Sequence, residues 1–263
     1  MNSMNSFPST PKDFLELAVE QGTPRYLYQY RSKDKALRFL KSMQLYFATA
    51  SEFNDPYDCN LELVNDSTEE DWLRFFQGTG LMQPAECKLH ARRMMFHPDE
   101  GIRYIEDAIR RQQKKTGILC LTTKNNDNLM WAHYADSHQG ICIQYDILQD
   151  PVPFFFPKKV EYDEHTIRFN YIKDQAPATE ALFHKHSDWA YEEEYRIVKI
   201  STHGLCPVSP LAVREIIFGC KMLPEDRQEI IDLCRNKGYR HIHFAEVQKG
   251  KDYQLSIQPL GLP

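Results

Sequence analysis

The sequence predicts one α+β domain spanning residues 1–263, built around a central mixed or antiparallel sheet. Three observations predict it. Strand-like and helix-like segments interleave irregularly, with no repeating βαβ unit and no internal repeat. No linker-like stretch divides the chain. At 263 residues and 42% hydrophobic, the chain can bury a sizeable core.

The elements follow in order. Residues 1–9 are polar and expected to be a disordered tail. Thr10-Pro11-Lys12-Asp13 reads as a helix start, with Thr10 as cap, Pro11 in the first turn and Asp13 near the positive end; Gly22 closes that helix. Tyr26, Tyr28 and Tyr30 alternate along a strand ending at Arg31. Ser32 caps a helix whose apolar stripe is Ala36, Leu37, Leu40 and Met43, and Leu45–Thr49 is a second strand. Phe53-Asn54-Asp55-Pro56-Tyr57-Asp58 carries turn chemistry: Asx side chains bond nearby backbone, and Pro56 biases Asp55 towards extended. A charged, amphipathic helical insertion is expected over about 68–115, broken near Gly78-Thr79-Gly80 and His97-Pro98.

Beyond it the sequence predicts a buried strand at 117–122, a short helix at 128–135 and a strand at 140–145. A Pro/Phe-rich connector, 151–157, leads to strands at 159–162 and 167–172, then a helix at 179–186. Glu192-Glu193-Glu194-Tyr195-Arg196-Ile197 alternates as a strand, placing Glu192, Glu194 and Arg196 on one face and Glu193, Tyr195 and Ile197 on the other. The C-terminal αβ extension, 201–263, supplies a strand at 213–219, a helix at 224–236 and strands at 240–247 and 252–258.

Composition excludes several classes. A net charge of −5 argues against a dominant phosphate-binding surface; Arg92-Arg93, Arg110-Arg111 and Lys114-Lys115 read as a solvated helix face, with a local basic groove as the alternative. The seven cysteines, irregularly spaced and without Cys-x-x-Cys, read as reduced thiols of a cytoplasmic protein. No signal peptide or membrane span is expected. Phosphate-loop, dinucleotide-fold and Gly-x-Ser-x-Gly signatures are absent. His184-x-His186 and His241-x-His243 lack a further ligand at zinc spacing, so no metal is expected.

The polar residues left at element ends are Arg31, Thr49, Ser51, His133, Tyr134, Glu192 and Glu194. Each also has a plain structural reading, as a surface ion pair, a core contact or a salt-bridged strand face. Trp131 and Tyr134, at i and i+3, likewise read as core.

Four motifs carry a resemblance. Tyr28-Gln29-Tyr30-Arg31, Phe53-Asn54-Asp55-Pro56-Tyr57-Asp58, Met130-Trp131-Ala132-His133-Tyr134 with His138-Gln139-Gly140, and Tyr191-Glu192-x-Glu194-Tyr195-Arg196-Ile197 resemble a bacterial family, domain-of-unknown-function family 2971, over about 25–200. The motif order also resembles, more distantly, the ADP-ribosyltransferase superfamily: a first strand ending in Arg or His, a second ending near Ser/Thr, and a late strand with Glu-x-Glu. This sequence departs from that pattern in having Thr49-Ala50-Ser51 for Ser-Thr-Ser and in the register of Arg31.

The second resemblance implies an ADP-ribosyltransferase-like fold and NAD as substrate, with an acceptor that is a protein, a nucleic acid or a small molecule. It implies Glu194 as the carboxylate that stabilises an oxocarbenium-like state, Glu192 as its helper towards the acceptor, and Arg31 as a pyrophosphate or ribose clamp. Tyr30, Tyr46 or Trp131 would stack on nicotinamide, with Thr49, Ser51, His133 and Tyr134 nearby. A toxin or phage-defence effector is the expected setting. The alternatives are a metal-dependent nuclease using Asp55, Asp58 and Glu194 with Lys199, and a non-enzymatic binding module whose Glu-x-Glu face is structural.

Overall fold

The computed structural model describes residues 10–174 and 178–261, so the N-terminal tail at 1–9 lies outside the described residues. The chain runs through α1 (Pro11–Glu20), β1 (Tyr26–Arg31), α2 (Lys33–Ser42), β2 (Gln44–Phe47), β3 (Glu62–Leu63), α3 (Glu69–Thr79), α4 (Pro84–Phe96) and α5 (Pro98–Gln113). It continues through β4 (Gly117–Thr122), α6 (Asn128–Tyr134), β5 (Ile141–Asp146), β6 (Lys158–Lys159), β7 (Glu161–Asp163), β8 (Arg168–Phe169), α7 (Tyr171–Asp174), β9 (His184–His186) and β10 (Glu194–Lys199). It closes with β11 (Gly204–Pro207), β12 (Val213–Phe218), α8 (Pro224–Asn236), β13 (His243–Lys249) and β14 (Leu255–Pro259).

Eight strands form one mixed sheet in the order β14-β13-β12-β5-β1-β4-β10-β6, antiparallel at every step except β12 beside β13. This is the mixed α+β architecture the segment pattern predicts. Alternation along each strand divides the sheet's two faces. Ile141, Ile143, Tyr145, Leu119, Leu121, Ile197, Ile216 and Phe218 join α1, α2 and α8 in the main core. The opposite face carries Tyr30, Cys142, Ile217, Ala245 and Val247 beneath Met130 and Trp131 of α6. Further along that face, Ile118 packs with Cys59, Leu182 and Phe183.

The local signals act where expected. Thr10 and Asp13 form a reciprocal capping box, and Ser32 caps α2. The insertion is three helices broken at Gly80, whose backbone is left-handed, and at His97-Pro98; Trp72, Phe76, Cys87 and Ile105 make its own core.

Two expected elements are corrected. The 179–186 helix is a 3-10 turn over Ala178–Phe183 followed by strand β9, which pairs in parallel with β7. The 167–172 strand is only the two residues of β8, giving way at once to α7. Asn170 explains the latter: its side-chain oxygen accepts from the backbone of Ile172 and Lys173, turning the chain into a helix. Strand β11, which pairs with β2, lies in a stretch for which no element was expected.

Candidate active site

Between α6 on one side and the 53–59 loop with the 178–192 segment on the other, the second face of the sheet stays open. A cleft of about 640 Å³ sits there, a volume suited to a small molecule. Its floor is Tyr28 and Tyr30 of β1, Cys120 and Thr122 of β4, and Glu194 and Arg196 of β10; its walls include Phe53, Asp58, His133, Tyr134, Lys185 and Glu192. All four motifs therefore meet at one place.

Arg196 anchors the site and is wholly buried. Its Nε and Nη2 donate to the two carboxylate oxygens of Glu194 at 2.8 and 3.0 Å, Nη2 also to Asp58 at 2.7 Å, and Nη1 to the Leu182 carbonyl at 2.8 Å. The guanidinium lies 5.3 Å from the Phe53 ring centroid. The turn motif is thus tied to β10 through both Phe53 and Asp58. A buried guanidinium is tolerable only when its donors are satisfied this completely.

Lys185, at 6% side-chain exposure, is the second buried cation. Its Nζ lies 2.6 Å from Glu192, 3.5 Å from Glu194 and 3.7 Å from Asp58, and 4.7 Å from the Trp189 ring centroid. Burial alone would push the ammonium down, but the carboxylates, Glu194 foremost, hold its pKa above the ordinary lysine value. Glu194 shows the converse: burial would raise it, yet Arg196 and then Lys185 hold it at about 2. Glu192 is pushed up by burial, with Lys185 opposing and Glu194 repelling; the Tyr134 hydroxyl donates to it at 2.5 Å. Three carboxylates against two cations leave the buried cluster one negative charge in excess when all are ionised.

Several sequence-predicted residues converge on this cleft. Glu194 shares a strand face with Arg196, as period two requires. Glu192 is corrected: it is not on the strand but precedes it in a 3-10 turn, and left-handed Glu193 (φ 43°) links the two, so the Glu192 carboxylate reaches the cluster without strand alternation. The Glu193 carboxylate leaves the cluster, accepting from Thr123 at 2.6 Å and pairing with Lys124 at 3.0 Å. His133 and Tyr134 line the cleft, and Nδ1 of His133 bonds the Tyr191 hydroxyl at 3.1 Å. Tyr30 reaches it edge-on to Trp131.

Others do not. Arg31 is on the main-core face: Gln29 Oε1 accepts from its Nη2 at 2.6 Å, and its guanidinium lies over Phe39. Arg31 and Tyr30 are neighbours on one strand and so point to opposite faces. Trp131 has no exposed surface and donates its indole N–H to the Asn125 carbonyl, so it is a core residue. Thr49 and Ser51 bond each other at 3.0 Å, and Thr49 donates to Glu52, an arrangement that caps the turn at the cleft's rim. Asp55 lines a neighbouring cavity of about 390 Å³. Among the described residues no three His, Cys, Asp or Glu side chains group to hold a metal. Two carboxylates of the nuclease reading, Asp58 and Glu194, are already engaged by Arg196.

Lys185 and Tyr28 were missed. The His184-x-His186 spacing drew attention to the two histidines, whereas the lysine between them points the other way, into the cluster. All seven cysteines are free thiols, four of them buried. Among the described residues no helix is long and apolar enough to cross a membrane.

No curated protein and no solved structure matches the chain. Residues 130–197, from the Met-Trp-Ala-His-Tyr helix into β10, match the model of the family described as Protein of unknown function (DUF2971), and the family resemblance read from the motifs stands on that segment.

Proposed function

We propose that the cleft is the active site of a cytoplasmic, ADP-ribosyltransferase-like enzyme that cleaves NAD between ribose and nicotinamide, in the setting of a toxin or phage-defence effector. The observation that supports this reading is the buried cluster of Asp58, Glu192, Glu194, Lys185 and Arg196, three carboxylates against two cations, beneath aromatic walls. Breaking the C1′–N bond sends its electron pair to the pyridinium nitrogen and leaves positive charge on the ribose. Fixed carboxylates in a desolvated cleft stabilise that charge without reorganising. Glu194, locked by Arg196, supplies permanent negative charge. Glu192, held by Tyr134 and Lys185, faces the attacking water or acceptor and takes its proton. Tyr46, exposed on the cleft wall, offers ring surface to the nicotinamide.

The saturation of Glu194 by Arg196 supports a second reading, a non-enzymatic binding module in which the cluster is structural. Labelled NAD separates the two. The wild-type protein is expected to bind NAD in calorimetry and to hydrolyse or transfer it. Glu192→Gln is expected to lower turnover by about 100-fold, while Arg31→Ala, on the other face, leaves it unchanged. A wild-type protein that neither binds nor cleaves NAD sinks the enzyme reading.

A further inference from the structure

The register of the sheet lines up one polar side chain from each of six adjacent strands. Glu194 of β10 is opposite Thr122 of β4, which is opposite Tyr28 of β1; Tyr28 is opposite Gln144 of β5, Gln144 opposite Glu215 of β12, and Glu215 opposite His243 of β13. Cross-strand partners point to the same face, so the row runs out of the cleft across the sheet. The next row on this face, with Tyr30, Cys142, Ile217 and Ala245, is buried beneath α6. The Tyr28 row lies one pleat beyond, and its distal members open to solvent: Gln144 and Glu215 are half-buried and His243 is exposed. Gln144 Nε2 donates to the Tyr28 hydroxyl at 2.6 Å, joining the row to the cleft floor. Glu215 makes no hydrogen bond or ion pair among the described residues, and burial raises its pKa against the opposing pull of cross-strand His243. A half-buried carboxylate without a donor is costly unless something supplies one.

We infer that this row is a nucleoside subsite continuous with the cleft, in which Glu215 accepts from the vicinal hydroxyls of a ribose and Gln144 and Tyr28 meet its base. From Glu194 to Glu215 is four strand spacings, about 19 Å, a reach suited to an extended dinucleotide. A carboxylate that accepts from ribose hydroxyls is a recurrent way of holding adenosine, and Gln is suited to the paired donor and acceptor of adenine. The inference rests on the NAD reading for its choice of ligand, and it deepens that reading by placing the half of the substrate remote from the bond that breaks.

The test uses AMP and 2′,3′-dideoxy-AMP in calorimetry, with NAD cleavage measured separately. Wild type is expected to bind AMP about tenfold more tightly than the dideoxy analogue, the worth of a hydrogen bond to a charged acceptor. Glu215→Gln is expected to erase that preference, and Gln144→Ala to weaken both ligands. Exposed His243→Ala, which carries little folding risk, is expected to weaken AMP by a smaller factor. Failure of AMP to bind wild type, or a diol preference that survives in Glu215→Gln, overturns the subsite. Cleavage of NAD with either of those results leaves the enzyme reading standing and removes only the subsite. The expected AMP pattern without NAD cleavage keeps the subsite and removes the enzyme reading.

Discussion

Replacing Arg196 with Met removes the one cation that touches Glu194 and Asp58 at hydrogen-bond distance, in a position with no exposure. Methionine fills much of the volume and satisfies nothing. Asp58, Glu192 and Glu194 then share Lys185 alone, and the Leu182 carbonyl loses its donor. Removing one partner of a buried ion pair costs about 3–5 kcal/mol. Glu194 gives a consistent figure: held at about 2 instead of 4.5, it contributes about 3 kcal/mol at neutral pH. The sign follows from linkage. A depressed carboxylate stabilises the fold fully above its unfolded pKa, and that contribution is lost as pH falls from about 4.5 through about 2. Arg196→Met is therefore expected to lose about 3–5 kcal/mol at pH 7, or roughly 10 °C in Tm. The gap should narrow towards pH 4, where the orphaned acids take up protons. Urea unfolding followed by circular dichroism at pH 7 and pH 4, with the slope checked for constancy, measures both. A loss under about 1 kcal/mol at pH 7, or a gap that widens on acidification, would show that Arg196 does not hold the cluster together.

Three further outcomes are expected. Gly219→Ala places a Cβ 2.1 Å from the His138 carbonyl oxygen, and because backbone cannot yield as a side chain does, urea melts should show a loss of about 3 kcal/mol. Tyr134→Phe leaves one oxygen of buried Glu192 without its donor and should cost about 2 kcal/mol at pH 7 by the same assay; an unchanged midpoint contradicts the bond. Thr68→Ala removes the capping box at the start of α3 and should cost about 1 kcal/mol, with the loss confined in hydrogen exchange to the 69–113 helices.

Legibility differed between elements for physical reasons. Helices α1, α2, α3 and α8 and strands β1, β4, β5 and β12 follow from signals within a few residues, namely caps, Pro or Gly at the ends, and apolar period. The segment expected as a helix over 179–186 departs from that pattern because its conformation is set by what it packs on. Leu182 and Phe183 are buried against Ile118, and Lys185 is drawn to three carboxylates, so the chain takes a 3-10 turn and a short strand in place of a helix. Arg31 lies outside the site, and its neighbour Tyr30 is the residue on the cleft's face. Alternation was visible there; which face would carry the cleft was not, because that depends on where α6 and the 53–59 loop come to rest.

Most element types, the motif positions and the shared face of Glu194 and Arg196 are written in the chain itself, since these depend on local backbone geometry and a period of two. Assembly in three dimensions brings Asp58 onto Arg196, 138 residues further along the chain, adds Lys185 to the cluster, and sets the polar residues of six strands in one row. Those relations belong to strand order and register. They are fixed by which apolar faces are buried together, and no window along the chain contains them.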